Sequence, residues 1–120
     1  MKKFDLAWET FEFHSFEGVK LEDIHYSNLR KIQLFKENGF SSEKDLPSLK
    51  NKILKDIDLL VNCYLKQLDS INELINIHDR EGFPKDMEMS KSSLYSLKSL
   101  VATLVEETKV YHSEIQEFLS

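Results

Sequence analysis

The chain has 120 residues, of which 41% are hydrophobic and 31% are charged, with only 3 Gly and 2 Pro. This length fits one folded domain, and the composition excludes both the polar bias of a disordered chain and the long apolar run of a membrane span. The formal net charge is −5, with 16 Lys plus Arg against 21 Asp plus Glu, which argues against nucleic acid or an anionic membrane surface as the main partner.

The first seventeen residues are rich in aromatic side chains and fit two patterns. Phe4, Leu6 and Trp8 alternate as the residues of a strand do, yet Phe4, Trp8 and Phe11 also share one face of a helix. An isolated strand in a helical protein has no partner for its backbone hydrogen-bonding groups. We therefore favour a short helix over residues 4-16.

A second short helix is predicted over residues 20-38. Its apolar stripe consists of Leu21, Ile24, Leu29 (or Asn28), Ile32 and Phe35. The sequence Asn38-Gly39-Phe40 follows, and it places glycine at the left-handed position that commonly ends a helix. We expect Phe40 to fold back on Phe35.

A long helix is predicted over residues 46-81, with an apolar face broad enough to contact neighbours on two flanks. Its main stripe is Leu49, Ile53, Ile57, Leu60, Tyr64, Leu68, Ile71 and Ile75. A second row consists of Leu54, Val61, Leu65 and Leu74. Gly82 and Pro84 then form a second stop signal. The breadth of the apolar face places this helix at the centre of a bundle.

The last helix is predicted over residues 86-119, with a single heptad stripe that faces the core. The stripe is Leu94, Leu97, Val101, Leu104, Thr108, Tyr111, Ile115 and Phe118. Short connections between helices imply antiparallel neighbours. The predicted fold is therefore all-α: a single domain over 1-120, a small helical bundle built on a long antiparallel helical hairpin plus one or two shorter N-terminal helices.

No motif for catalysis or for a cofactor is present, and we expect no catalytic, cofactor-binding or metal-binding residues. Gly18, Gly39 and Gly82 lie too far apart for a phosphate-binding loop. One Cys and four scattered His give no zinc-ligand cluster. The lone Cys63 is predicted to be a half-buried small hydrophobe. Without an internal disulfide or a recognisable signal peptide, the expected location is cytoplasmic.

Glu22 and His25 have the Glu-x-x-His spacing that di-metal helical bundles use twice. The spacing occurs once here, so we predict an ordinary surface pair. The alternative function that it suggests is an enzyme subunit or a cryptic metal-dependent hydrolase that uses Glu22 and His25. Lys50, Lys52 and Lys55 would be the basis of a nucleic-acid role, but a solvated helix end explains them more simply.

The leading functional hypothesis is a non-enzymatic protein-protein interaction module that acts through helix faces. An adaptor, a chaperone, a secretion partner and an immunity-type inhibitor all fit it, and its partner would be another protein or a second copy of the chain. The candidate interface residues are Phe4, Trp8, Phe11, Phe13 and Phe16. Residues 1-17 are either the remaining flank of the core or a partner-binding arm, because one neighbour cannot bury aromatics on several sides of a helix.

Overall fold

The computed structural model describes residues 2–38, 46–83 and 90–118, and over these residues it contains three helices and no strand. Helix α1 is Lys2–Asn38, α2 is Leu46–Glu81 and α3 is Lys91–Phe118. The helices pack lengthwise into a molecule 58 Å long. The prediction of a small all-α bundle is confirmed. None of the helices in the described ranges combines the length and the apolar character that a membrane crossing requires.

Helix α2 lies in the middle and packs against both α1 and α3. The start of α1 meets the end of α2, where Phe4 contacts Phe83. The start of α3 lies at the same end of the bundle, where Lys91 forms an ion pair with Asp79. Both flanking helices therefore run antiparallel to α2, which has the central position that its broad apolar face predicts.

The N-terminal region differs in detail from the prediction. Residues 4-16 and 20-38 do not form separate short helices, because α1 runs unbroken through Gly18 and is, at 37 residues, the longest helix. Gly18 is buried against α2, so its missing side chain permits a close helix contact and does not mark a break. The bundle thus consists of three long helices, where a hairpin with a shorter attachment was expected.

Most of the predicted core stripe of α2 is buried, and Ile53, Ile57 and Ile71 are fully enclosed. The second row is less accurate, because Leu65 is 41% exposed. The flank that α1 covers instead contains small, polar and apolar side chains that the predicted rows omit. These are Cys63, Gln67, Ser70 and Ile77.

The predicted stripe of α3 is largely confirmed, with Leu94, Val101, Thr108 and Ile115 buried. Two details differ, since Tyr111 is 39% exposed and the omitted Val105 is buried. The helix begins at a capping serine: the hydroxyl of Ser90 accepts a hydrogen bond from the backbone N–H of Ser93. Of the predicted range 86-119, residues 86-89 and 119 lie outside the described residues, as does the side chain of Phe118.

The stop signal at the end of α2 has the predicted geometry. Gly82 has a φ of 71°, and its N–H donates to the carbonyl oxygen of His78 at 3.1 Å. This left-handed conformation costs a side-chain-bearing residue more than it costs glycine. Phe83 then folds back on His78, with ring centroids 4.8 Å apart. In the corresponding segment after α1, Gly39 and Phe40 lie outside the described part of the chain, as do the side chains of Phe35 and Asn38 and residue Pro84.

Candidate functional site

The five candidate interface aromatics divide into two groups. Phe4 is buried, stacks on Trp8 with centroids 6.2 Å apart, and contacts Phe83. Trp8 in turn contacts Phe11 at 5.7 Å, and both are partly buried against the main core. Phe4, Trp8 and Phe11 therefore seal the end of the bundle where α1 begins and α2 ends.

Phe13 and Phe16 lie on the opposite side of α1, with 63% and 67% of their surfaces exposed. Burying such a side chain completely is worth about 1.5 to 3 kcal/mol relative to leaving it in water. Their exposure is the feature that a binding surface needs, although a single exposed apolar residue alone would mean nothing. The role of the five aromatics at an interface stays a prediction, for which these two have the required accessibility.

Three further apolar residues share this outward face of α1, and they are not among the predicted interface residues. We call the whole set the outer stripe; it consists of Leu6, Phe13, Phe16, Ile24 and Leu34, each at least 41% exposed. Ile24 belongs to the core stripe predicted for the short helix, but it points outward. The missed signal was the spacing of seven residues between Leu6 and Phe13, which repeats a helix face.

The charged residues around the outer stripe are distributed unevenly along α1. In the first half the exposed charges are mainly acidic: Asp5, Glu9 and Glu12. In the second half they are mainly basic: Lys20, Arg30 and Lys31. Lys3 near the start, Asp23 near the middle and Glu37 near the end are exposed exceptions. The outward face of α1 therefore combines apolar side chains with a lengthwise separation of charge.

The inward face of α1 is held to α2 by side-chain hydrogen bonds. Near the middle of α1, the carbonyl oxygen of His14 accepts from Nε2 of Gln67 at 3.1 Å and from Sγ of Cys63 at 3.2 Å. Further along α1, Nδ2 of Asn28 donates to Oδ2 of Asp56 at 2.9 Å. Such bonds fix both the register and the rotation of α1, so they also determine which residues point outward.

Glu22 and His25 do not form the predicted surface pair. His25 is 6% exposed, and its ring meets the edge of Tyr111 on α3 at 5.4 Å. Burial lowers the pKa of the His25 imidazole, an effect that the nearby charge of Glu22 opposes. Glu22 accepts a hydrogen bond from the hydroxyl of Tyr64 at 2.6 Å. Burial, the hydrogen bond to Glu22 and the charge of that carboxylate raise the pKa of Tyr64.

In the described part of the chain, Glu22 and His25 have no third side chain with which to complete a metal site. Within residues 2–38, 46–83 and 90–118, no group of three or more His, Cys, Asp or Glu side chains could hold a metal ion. Cys63 is a buried free thiol, and burial raises its pKa, which disfavours the reactive thiolate. The geometry therefore adds no observation in favour of hydrolytic chemistry at Glu22 and His25.

An open groove of about 450 Å³ runs between the start of α1 and the end of α2, and Leu6 of the outer stripe forms part of its wall. Ala7 and Ile77 supply apolar lining. The charged lining residues carry both signs, with Lys3 and Arg80 among them. The groove thus extends the accessible apolar surface of α1 toward α2.

Comparison with known proteins gave no match to a family model, to a curated protein sequence or to a solved structure.

Proposed function

We propose that this protein is a non-enzymatic protein-protein interaction module, and that it acts in the cytoplasm through the outer stripe of α1. The exposure of Phe13 and Phe16 on one helix face is the observation that carries the proposal. Its single cysteine, a buried free thiol, is in a form that a reducing compartment preserves. Adaptors, chaperones, secretion partners and inhibitors all act through surfaces of this kind.

The physical support is the free energy available from covering the stripe. Covering the exposed parts of Phe13 and Phe16 would contribute about 1 to 2 kcal/mol each, and Leu6 a similar amount. Aromatic side chains at the centre of an interface commonly supply most of its binding energy. The hydrogen bonds that fix α1 on α2 also hold the backbone of this face in position, so binding needs little ordering of the backbone.

The test compares three baits in affinity purification from the native host. The first is the unaltered protein, the second carries Phe13→Ser and Phe16→Ser, and the third is a control that carries Leu100→Ser and Val110→Ser. The two control residues on α3 are each 56% exposed, close to the 63% and 67% of Phe13 and Phe16, and their substitution also replaces exposed apolar side chains by serine. Circular dichroism verifies that all three baits have the same helix content.

We expect at least one protein, which can be an untagged copy of the chain itself, to bind the first and third baits and to be lost from the second. Identical sets of bound proteins for all three baits would contradict the proposal, because binding would then be independent of the outer stripe. If only the third bait lost a bound protein, the interaction surface would lie on α3 and the proposal would be wrong.

A further inference from the structure

The outward face of α1 has a spacing that reads the same in both directions. Besides the outer stripe, four exposed polar residues lie on this face: Glu9, Lys20, Ser27 and Lys31. Together the positions are 6, 9, 13, 16, 20, 24, 27, 31 and 34, all exposed and spaced by three or four. On either side of Lys20 this is the spacing of a coiled-coil seam, and at Lys20 two steps of four adjoin, which interrupts the heptad pattern once. Counting outward from Lys20, the positions are symmetric.

We propose that the outer stripe pairs with the same stripe of a second copy of this chain, antiparallel, with the two-fold axis at Lys20. The inference rests on the proposed function and names the partner. A two-fold axis makes an interface from one patch used twice, so the patch must be complementary to itself. The symmetric spacing meets that condition, because every exposed position on the face then meets another.

The side chains that such a pair brings together are complementary in kind. Residues equally distant from Lys20 face one another, so Leu6 packs on the partner subunit's Leu34. Phe16 in the same way packs on the partner subunit's Ile24. Phe13 faces the partner subunit's Ser27, which is small enough to leave room for the ring. The apolar contacts of the outer stripe are therefore made twice, once on each side of the axis.

The separation of charge along α1 selects the antiparallel direction. Glu9 faces the partner subunit's Lys31, and the acidic half of one helix lies along the basic half of the other. A parallel pair would place acidic residues on acidic residues and basic on basic, which is unfavourable. On the axis, Lys20 faces the partner subunit's Lys20, and the partner subunit's Asp23 lies about one turn from this like-charge contact as a counter-charge.

The size of this contact sets the expected affinity. The face from Leu6 to Leu34 is about 42 Å long at 1.5 Å per residue. A single helix pair of that length lies at the small end of specific interfaces, so we expect a dissociation constant on the order of 1 to 100 µM.

Analytical ultracentrifugation of the full chain, from about 1 µM to about 500 µM, measures the association. The unaltered protein is expected to shift from monomer to dimer across this range. Phe16→Ser should raise the dissociation constant at least about thirty-fold, since the residue is used twice in the dimer. Leu100→Ser on α3 is the matched control and should leave the constant unchanged.

Charge reversal tests the direction of pairing. Glu9→Lys and Lys31→Glu should each weaken self-association about five-fold, because each variant makes two like-charge contacts. The chain that carries both substitutions should regain the original affinity, because every acid–base contact is then restored with its sign inverted. In a parallel pair the double variant would retain its like-charge contacts and gain nothing.

A protein that stays monomeric at the highest concentration overturns the dimer, as does a dimer that Phe16→Ser and Glu9→Lys do not weaken. A double variant no tighter than the single ones overturns the antiparallel arrangement. These outcomes do not by themselves contradict the proposed function. A monomer that still captures another protein through Phe13 and Phe16 leaves that function standing, and only the identity of the partner is then wrong.

Discussion

The hydroxyl oxygen of Tyr64 lies 2.6 Å from Oε1 of Glu22, and this hydrogen bond joins α2 to the middle of α1. Tyr64 is itself 3% exposed, so its hydroxyl has little access to water as an alternative partner. The bond therefore contributes to the specific rotation of α1 that places the outer stripe outward.

Tyr64→Phe should lower the free energy of unfolding by about 1 to 2 kcal/mol. The substitution removes the hydroxyl donor, so the partly buried carboxylate of Glu22 loses this hydrogen bond. Urea denaturation followed by circular dichroism measures the change. Tyr26→Phe is the control, since Tyr26 is 63% exposed and should change stability by less than about 0.5 kcal/mol. Equal effects of the two substitutions would refute the assigned role of the Tyr64 hydroxyl.

His25 should make the stability of the protein depend on pH in the acidic range. Its pKa is lower in the folded protein than its ordinary value of 6.5, chiefly through burial. At acidic pH the unfolded chain therefore binds a proton at His25 more readily than the folded protein does. The stability that neutral His25 contributes is fully present above pH 6.5 and is lost as the pH falls through the folded pKa. Urea midpoints at a series of pH values measure this loss.

The comparison protein for that measurement is His25→Gln, which retains polarity without an ionisable ring. Between pH 6.5 and 5 the unaltered protein should lose more stability than the variant does. Parallel pH profiles would show that His25 is not the group responsible.

Gly18→Ala should not produce the gain of about 1 kcal/mol that replacing a helical glycine usually gives. A methyl group at residue 18 would lie 2.6 Å from Nε2 of Gln67, so that side chain would have to move and release the carbonyl oxygen of His14. In a Gln67→Ala background the same substitution should stabilise. Thermal denaturation of the unaltered protein, the two single variants and the double variant gives the coupling free energy between residues 18 and 67. We expect this energy to be at least about 1 kcal/mol.

Leu94→Ala should lower the free energy of unfolding by about 2 to 5 kcal/mol, because Leu94 is completely enclosed in the main core. Leu104 is only partly buried, so Leu104→Ala should lower the free energy of unfolding by less than Leu94→Ala does. Leu100→Ala, at a residue that is 56% exposed, should be nearly silent. Chemical denaturation ranks the three variants, and a cost for Leu100 as large as that for Leu94 would mean that α3 is rotated.

The sequence predicted the α2–α3 contact well because that contact is made by large apolar side chains at helical spacing. Ile57 and Ile71 on α2, and Leu94 and Val101 on α3, are recognisable from periodicity alone and are all buried. The glycine at the end of α2 was recognisable for a different reason, since the left-handed conformation has few other occupants.

The α1–α2 contact could not be predicted in the same way because much of it is polar or small. Gly18, Cys63 and Gln67 are buried, yet none of them belongs to a predicted apolar stripe, and Asn28 entered one only as an alternative to Leu29. Hydrophobic periodicity therefore weakens in the middle of α1, and the sequence predicted two short helices, 4-16 and 20-38, where the structure has one. Periodicity alone therefore does not identify the inward face of α1. As a result, the prediction places Ile24 in the core and includes only Phe13 and Phe16 of the outer stripe among the interface residues.

The polar middle of the α1–α2 contact has a consequence for folding cooperativity. Helix α1 is anchored by buried apolar side chains near its two ends, at Phe4 and Ile32, while its central turns have only the partly buried Leu21 and hydrogen bonds such as the one from Gln67. Water can replace such bonds at a smaller free-energy cost than it can replace apolar packing. Amide protons in the centre of α1 should therefore exchange with solvent through openings that leave the α2–α3 pair intact, which makes α1 a separate unfolding unit.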